Sequence, residues 1–163
     1  MISYRKLFEA LFKNKIRYLV AGGVAVNLHQ VNRATVDLDL IVHLEPANAK
    51  QFVKVMLALG YKPKLPVKAD DFTKKEIRKK WAEEKNMMVF SFVHPQNPFE
   101  MIDIFVEEPR PFDELEKNKM EVKAFDVTIP VLGLKDLIAM KKEAGRETDL
   151  FDVRQLEKIK KNL

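Results

Sequence analysis

At 163 residues the chain has the length of one domain, enough to bury a core and too little for two full ones. Its composition, 47% hydrophobic and 33% charged, is that of a globular protein, and the absence of cysteine excludes a disulfide scaffold, a thiolate zinc site and a thiol nucleophile. The net charge of +5 favours an anionic partner, and it is unevenly spread: 1–60 and 61–86 are basic, 87–120 is acidic and the remainder is nearly balanced. A basic shell around an acidic cleft suits a nucleotide or nucleic-acid substrate, although ordinary surface charge produces the same profile. No apolar stretch approaches the length of a membrane span and the first residues lack the core of a secretory leader, so the expectation is a cytoplasmic protein without membrane contact.

Taken in chain order, Ser3 is placed to cap a first helix over about 4–14, with Leu7, Leu11 and Phe12 as its apolar stripe. Arg17 to Ala21 reads as a short strand ending at Gly22-Gly23, followed by a two-turn helix from Val24 to about Gln30. Val36 to Val42 reads as the next strand. Pro46 suits the first turn of a third helix that stops at Gly60. Residues 61–71, with Pro63 and Pro66, read as loop, and Thr73 with Glu76 predicts a capping box for a charged helix to about Lys85. Met87 to His94 and Phe99 to Val106 read as an antiparallel hairpin joined by Pro95-Gln96-Asn97-Pro98. A short helix near 112–118, one strand or strand pair over 122–131, and two helices, about 133–144 and 149–161, complete the chain. The pattern predicts one α+β domain over 1–163, a mixed sheet flanked by helices, with the C-terminal helices from about 133.

The chemistry concentrates on Asp37 and Asp39. Residues i and i+2 of a strand point to one face, roughly 6–7 Å apart at the backbone, so two like charges share a half-buried surface. They call for a cation, and magnesium, bound by one or two carboxylates with phosphates and waters, is the simplest. Asp103 is a lone acid in an apolar strand, on the opposite face from Ile102, Ile104 and Val106. Gly22-Gly23 can admit a phosphate close to the backbone, yet glycine doublets occur in many tight turns. The chain has neither a dinucleotide fingerprint nor a Walker-type phosphate loop. Bland readings stand beside these: a surface strand edge for the aspartates, a salt bridge from Arg33 to Asp37, a solvated helix face for Lys141, and a helix N-cap for Asp149. His29, His43 and His94 lack metal-ligand spacing. Lys75, Arg78 and Lys79 on the charged helix can touch a nucleic-acid backbone or simply face water.

Gly22-Gly23, Asp37-Leu38-Asp39 and a later Asp103 between Ile102 and Ile104 together resemble the signature of the nucleotidyltransferase superfamily, with its polymerase-β-like palm. Leu19 to His29 and Arg33 to Asp39 are especially similar to the small AbiEii-like group, which includes nucleotidyltransferase toxins of toxin–antitoxin systems. Leu137 to Arg146, with Asp149 and Asp152, resembles that group's C-terminal Lys…Arg…Asp region, whereas Gln30 stands where the group has glycine. The resemblance implies the nucleotidyltransferase fold and transfer of a nucleoside monophosphate from an NTP to an acceptor hydroxyl, with tRNA, a protein or a small molecule as acceptor. It implies that Asp37, Asp39 and Asp103 hold two Mg²⁺ ions, or Mn²⁺, with Asp103 at the proton of the acceptor. Gly22, Gly23, Lys141 and Arg33 would then serve the nucleotide, and a cognate antitoxin would be a protein partner. A catalytically idle nucleotide- or RNA-binding module, or an interaction subunit, is the alternative on the same fold.

Overall fold

The computed structural model describes residues 4–163, so the capping expected of Ser3 lies outside the described residues. Helix α1 (Arg5–Lys13) buries Leu7, Phe8 and Leu11, and strand β1 (Tyr18–Ala21) is buried along its whole length. β1 runs straight into α2 (Gly22–Leu28), so the glycine doublet is the first turn of the helix and not its approach. An irregular segment leads to β2 (Leu38–Val42), which leaves Asp37 one residue before the strand. Helix α3 (Pro46–Ala58) has Pro46 in its first turn. There the Glu45 carboxylate accepts from the amides of Ala47 and Asn48 at 3.0 and 3.2 Å.

The stretch expected to be loop is more ordered than its prolines suggest. Strand β3 (Lys62–Pro63) pairs with β4 at the sheet edge, where a proline costs no ladder bond, and a 3-10 turn covers Ala69–Thr73. Ala69 and Phe72 are buried there, and their burial holds the chain down. The capping box expected of Thr73 and Glu76 does not form. The Thr73 hydroxyl instead donates to the Asp70 carbonyl at 2.7 Å, closing the 3-10 turn, and helix α4 (Lys75–Lys85) starts from Lys74 with no side-chain cap.

Strands β4 (Val89–His94) and β5 (Asn97–Phe105) form the expected hairpin, but through the two residues Pro95-Gln96 only. After α5 (Phe112–Lys117), β6 (Met120–Ala124) and β7 (Val127–Val131) make a second hairpin, turning at Phe125 and Asp126 with φ of 55° and 61°. Helices α6 (Leu134–Ala144) and α7 (Glu147–Lys161) end the chain, separated at Gly145 with φ 63°. Asp149 is thus the third residue of α7 and not its N-cap.

Among the described residues, seven strands make one mixed sheet in the order β3-β4-β5-β2-β1-β7-β6. β2 lies antiparallel to β1 and parallel to β5, so the two central strands that carry acids run side by side. Phe52, Phe72, Phe90, Phe92 and Trp81 pack under the β4–β5 half, with Trp81 and Phe90 stacked at 5.0 Å. Gln30 adopts φ 75°, which gives the glycine of the resembling group a physical reason. Gln30→Gly is therefore expected to raise stability by about 0.5 kcal/mol, read by urea denaturation, because release of left-handed strain outweighs the added freedom of the unfolded chain.

Candidate active site

Parallel pairing of β2 with β5 sets Asp39 beside Asp103, with Leu38 beside Ile102 and Leu40 beside Ile104. The leucines and isoleucines are fully buried, so the two aspartates share the opposite, more open face. Asp37 joins them from the segment that enters β2. Burial pushes the Asp39 carboxyl up to about 7, with the charges of Asp103 and then Asp37 adding to the rise; Lys141 and Arg146 pull against it. Asp103 is likewise raised by burial, while a 2.6 Å hydrogen bond donated by the Ser91 hydroxyl holds one of its oxygens in place. Asp37 again adds to the rise and Lys64 opposes it.

The glycines explain how Asp39 fits. A Cβ on Gly22 would lie 2.0 Å from Asp39 Oδ2, and Gly22 itself has φ +61°. A Cβ on Gly23 would lie 2.6 Å from Thr35 Oγ1 and 3.0 Å from Arg33 Nη1. The doublet lets the acid of β2 and the residues before it press against the helix turn. Arg33 sits behind that turn and donates to Asp152 Oδ2 at 2.9 Å, so Asp152, and not Asp37, is its salt-bridge partner.

A chain of charges extends from there into the C-terminal helices. Lys141, nearly buried, contacts Asp152 at 3.1 Å and Asp149 at 3.2 Å. Asp149 also accepts from the Arg146 Nε at 2.7 Å and from its backbone amide at 3.2 Å, and its carboxyl is held below the usual range by Arg146 and Lys141 despite burial. Lys141 is therefore shared between two carboxylates that are each 1% exposed, whereas the Arg146 side chain is 76% exposed and close enough to Asp39 to act on it. Lys141→Met is expected to cost about 3 kcal/mol of stability in a urea titration, because it strips buried carboxylates of a partner.

The site residues singled out in the sequence thus fall into two joined groups: Asp39 and Asp103 on one sheet face with Asp37 just before β2, and Arg33 with Lys141 behind the glycine turn. Sequence reasoning passed over Ser91 and Lys64 as members and marked Arg146 only as part of the C-terminal Lys…Arg…Asp pattern. Ser91 shows only through its register opposite Asp103, and Lys64 only through a bend of the chain that local pattern does not encode. The helix α4 cations lie elsewhere. Arg78 is 5% exposed and donates to the Phe72 carbonyl at 2.6 Å, which removes it from any nucleic-acid surface. Lys75 and Lys79 line a cleft of about 930 Å³ beside His43 and Glu108, past the opposite ends of β2 and β5.

The three acids present oxygen donors only, the donor set that suits a hard divalent cation. Among the described residues no group of three or more His, Cys, Asp and Glu side chains is gathered to hold an ion by itself. A half-buried acid pushed up to about 7 by burial and by two further acids is the mark of a place left short of positive charge.

No family model and no curated protein matches the sequence. Solved structures do match the fold. The lincosamide antibiotic adenylyltransferase LnuA, with lincomycin bound, aligns with a TM-score of 0.61 at 17% identity over 95% of this chain and 96% of that one. An antigenic nucleotidyltransferase-like protein from Paracoccidioides brasiliensis gives 0.60 at 13% identity, over 95% and 73% of the two chains. ANT(2″)-Ia in complex with adenylyl-2″-tobramycin gives 0.56 at 15% identity, over 98% and 91%. The chain has the α+β nucleotidyltransferase fold.

Proposed function

We propose that this protein is a Mg²⁺-dependent nucleotidyltransferase that moves a nucleoside monophosphate from an NTP to an acceptor hydroxyl. The observation that carries the reading is the register of Asp39 against Asp103 on one face of the sheet, beside a glycine turn and within reach of the charge of Asp37. Asp37, Asp39 and Asp103 would hold the metal, Mg²⁺ or Mn²⁺. When bound, it neutralises the phosphate charge that grows in the transition state.

The chain's own residues supply the remaining work. The triphosphate lies beside the acids at the first turn of α2, which the glycines let Asp39 approach, with the exposed Arg146 guanidinium as its cation. Lys141 and Arg33 hold Asp149 and Asp152 in place, and so fix the segment from which Arg146 projects. The acceptor oxygen forms a bond to the α-phosphorus as the bond from that phosphorus to the bridging oxygen breaks, and pyrophosphate leaves with the electron pair. The hydroxyl proton passes to Asp103, whose orientation the Ser91 hydroxyl fixes.

The likeness of the glycine and aspartate segments to the AbiEii-like group is what supports a toxin–antitoxin role with tRNA as acceptor and an antitoxin as partner. The placement of Lys75 and Lys79 at the far cleft, and the burial of Arg78, lend that acceptor less support than the carboxylate site lends to the reaction. The test is incubation with each α-labelled NTP and Mg²⁺ against total tRNA, lincomycin and tobramycin. Label appearing on an acceptor, and absent with Asp103→Asn, is the expected result. Tight NTP binding with no product from any acceptor would favour the idle binding module.

A further inference from the structure

The sheet ends on β3 at one side and on β6 at the other, and the two edges differ. β3 is two residues long and includes Pro63, so it offers another strand little to pair with. β6 is five residues long and alternates regularly: Met120, Val122 and Ala124 are half-buried against the core, while Glu121 and Lys123 are exposed. The direction of its main-chain groups follows from β7. The Leu132 amide donates to the Val20 carbonyl at 2.9 Å, so even positions there turn toward β1, and the odd ones, Val127, Ile129 and Val131, turn toward β6. Their partners are Ala124, Val122 and Met120. Pro130, opposite Glu121, has no N–H to give it, in keeping with this alternation. The N–H and C=O groups of Glu121 and Lys123 therefore point away from the sheet, and among the described residues no hydrogen bond outside the β6–β7 ladder reaches them.

A free edge of this kind is a template for one more strand, and its charges say which strand fits. A second β6 laid antiparallel beside the first makes a ladder only where outward groups meet outward groups. Centred on Glu121, such a pairing sets glutamate against glutamate and Lys119 against Lys123; centred on Lys123, it sets lysine against lysine. Both are repulsive. Centred on Val122, it sets Glu121 of each copy against Lys123 of the other, and each of these pairs exchanges its N–H···O bonds. On the opposite face the same centring brings Val122 against its twin and Met120 against Ala124, so the half-buried apolar row of one copy continues into the other. Glu121 also contacts Lys119 of its own chain at 3.5 Å, an exposed pair whose carboxylate has a second oxygen for the other copy.

We infer that β6 is the docking surface for a second copy of this chain, paired antiparallel about a two-fold axis at Val122 so that the two sheets join edge to edge. The association owes nothing to the nucleotidyl-transfer reading, since β1 and β7 separate β6 from β2 and its acids. The seam is short. Five residues a side bury less than a permanent dimer does, so the expected Kd is weak, about 100 μM.

Sedimentation velocity of the full chain from about 20 μM to about 1 mM measures the dimer, and amide hydrogen exchange locates it. The wild type is expected to pass from mostly monomer to mostly dimer over that range, with exchange at the Glu121 and Lys123 amides slowing about threefold. The Val122 amide, already bonded to β7, should not change. Glu121→Lys and Lys123→Glu each set like charges opposite one another at both symmetric pairs, and each alone is expected to weaken the dimer about tenfold or more. Both positions are exposed, and urea midpoints check that the variants stay folded. An equimolar mixture of the two variants should associate again, because every pair across the seam is then opposite in charge. A wild type that stays monomeric at about 1 mM overturns the inference. So does a dimer that both reversals leave intact, or a mixture that associates no better than either variant alone. Concentration-dependent protection at other residues, with Glu121 and Lys123 unchanged, puts the contact elsewhere and overturns it as well.

Discussion

Asp39→Asn is expected to abolish nucleotidyl transfer and, at the same time, to make the metal-free protein more stable at pH 8. The Asp39 carboxyl is raised to about 7 from its ordinary 3.8, by burial first and by Asp103 and Asp37 next. A folded pKa above the unfolded one means that the native state holds a proton that the unfolded chain has lost. Stability from this group is therefore fully present below about pH 4 and is lost as pH rises toward 7, after which the loss is complete. Three pH units correspond to about 4 kcal/mol as a ceiling, and solvent relaxation around a partly exposed carboxylate brings the expected loss to about 2 kcal/mol. The asparagine keeps the shape and carries no charge, so urea titrations at pH 5 and pH 8 should show wild type losing stability across that window by more than the variant does. Mg²⁺ with an NTP analogue should reverse the order, because ligands bound only by the native wild type stabilise it by mass action. Equal pH dependence in the two proteins would remove the electrostatic account of the pair.

Gly22→Ala should be the more damaging of the two substitutions in the glycine doublet. The added carbon would sit 2.0 Å from Asp39 Oδ2, and φ of +61° is a conformation in which alanine pays strain of about 1 kcal/mol or more. Either the carboxylate leaves its place or β1 and α2 shift against β2, and each displaces an acid by more than an in-line reaction tolerates. The expected loss is about 2–4 kcal/mol of stability and about 100-fold or more in transfer rate. Gly23→Ala meets Thr35 Oγ1 at 2.6 Å and the flexible end of Arg33 at 3.0 Å, in an ordinary backbone conformation, and should cost less. Denaturation midpoints of the two variants, side by side, check the ranking. An unperturbed Gly22→Ala would mean that the glycine turn does not pack against Asp39.

What could be read from the sequence is what depends on neighbours in the chain. The alternation around Asp103 gave its face, Pro46 and Gly60 bounded α3, and Gly145 separated the last two helices. The glycine doublet and the acid pair were legible because each occupies one short segment. What could not be read depends on partners far away in sequence. Arg33 meets Asp152 across 119 positions, an ion pair that no local pattern announces. Arg78 has the periodicity of a solvated helix face, yet the aromatic cluster around Phe72 draws it inward to cap a carbonyl. Pro63 and Pro66 suggested an unstructured loop, but a proline at a sheet edge gives up nothing that water was not already supplying. Lys141 illustrates both sides: its place in the C-terminal pattern marked it, and only tertiary structure assigns it to Asp149 and Asp152.

We propose that Asp37, Asp39 and Asp103 form one metal-dependent phosphate site. Mn²⁺ titration followed by electron paramagnetic resonance, with an unreactive NTP analogue present, tests it most directly. Wild type should bind Mn²⁺ with an affinity that the analogue increases, and the Asp→Asn variant at each of the three positions should weaken that binding about tenfold or more. Binding that survives unchanged in Asp103→Asn would separate the third acid from the pair and contradict the shared site.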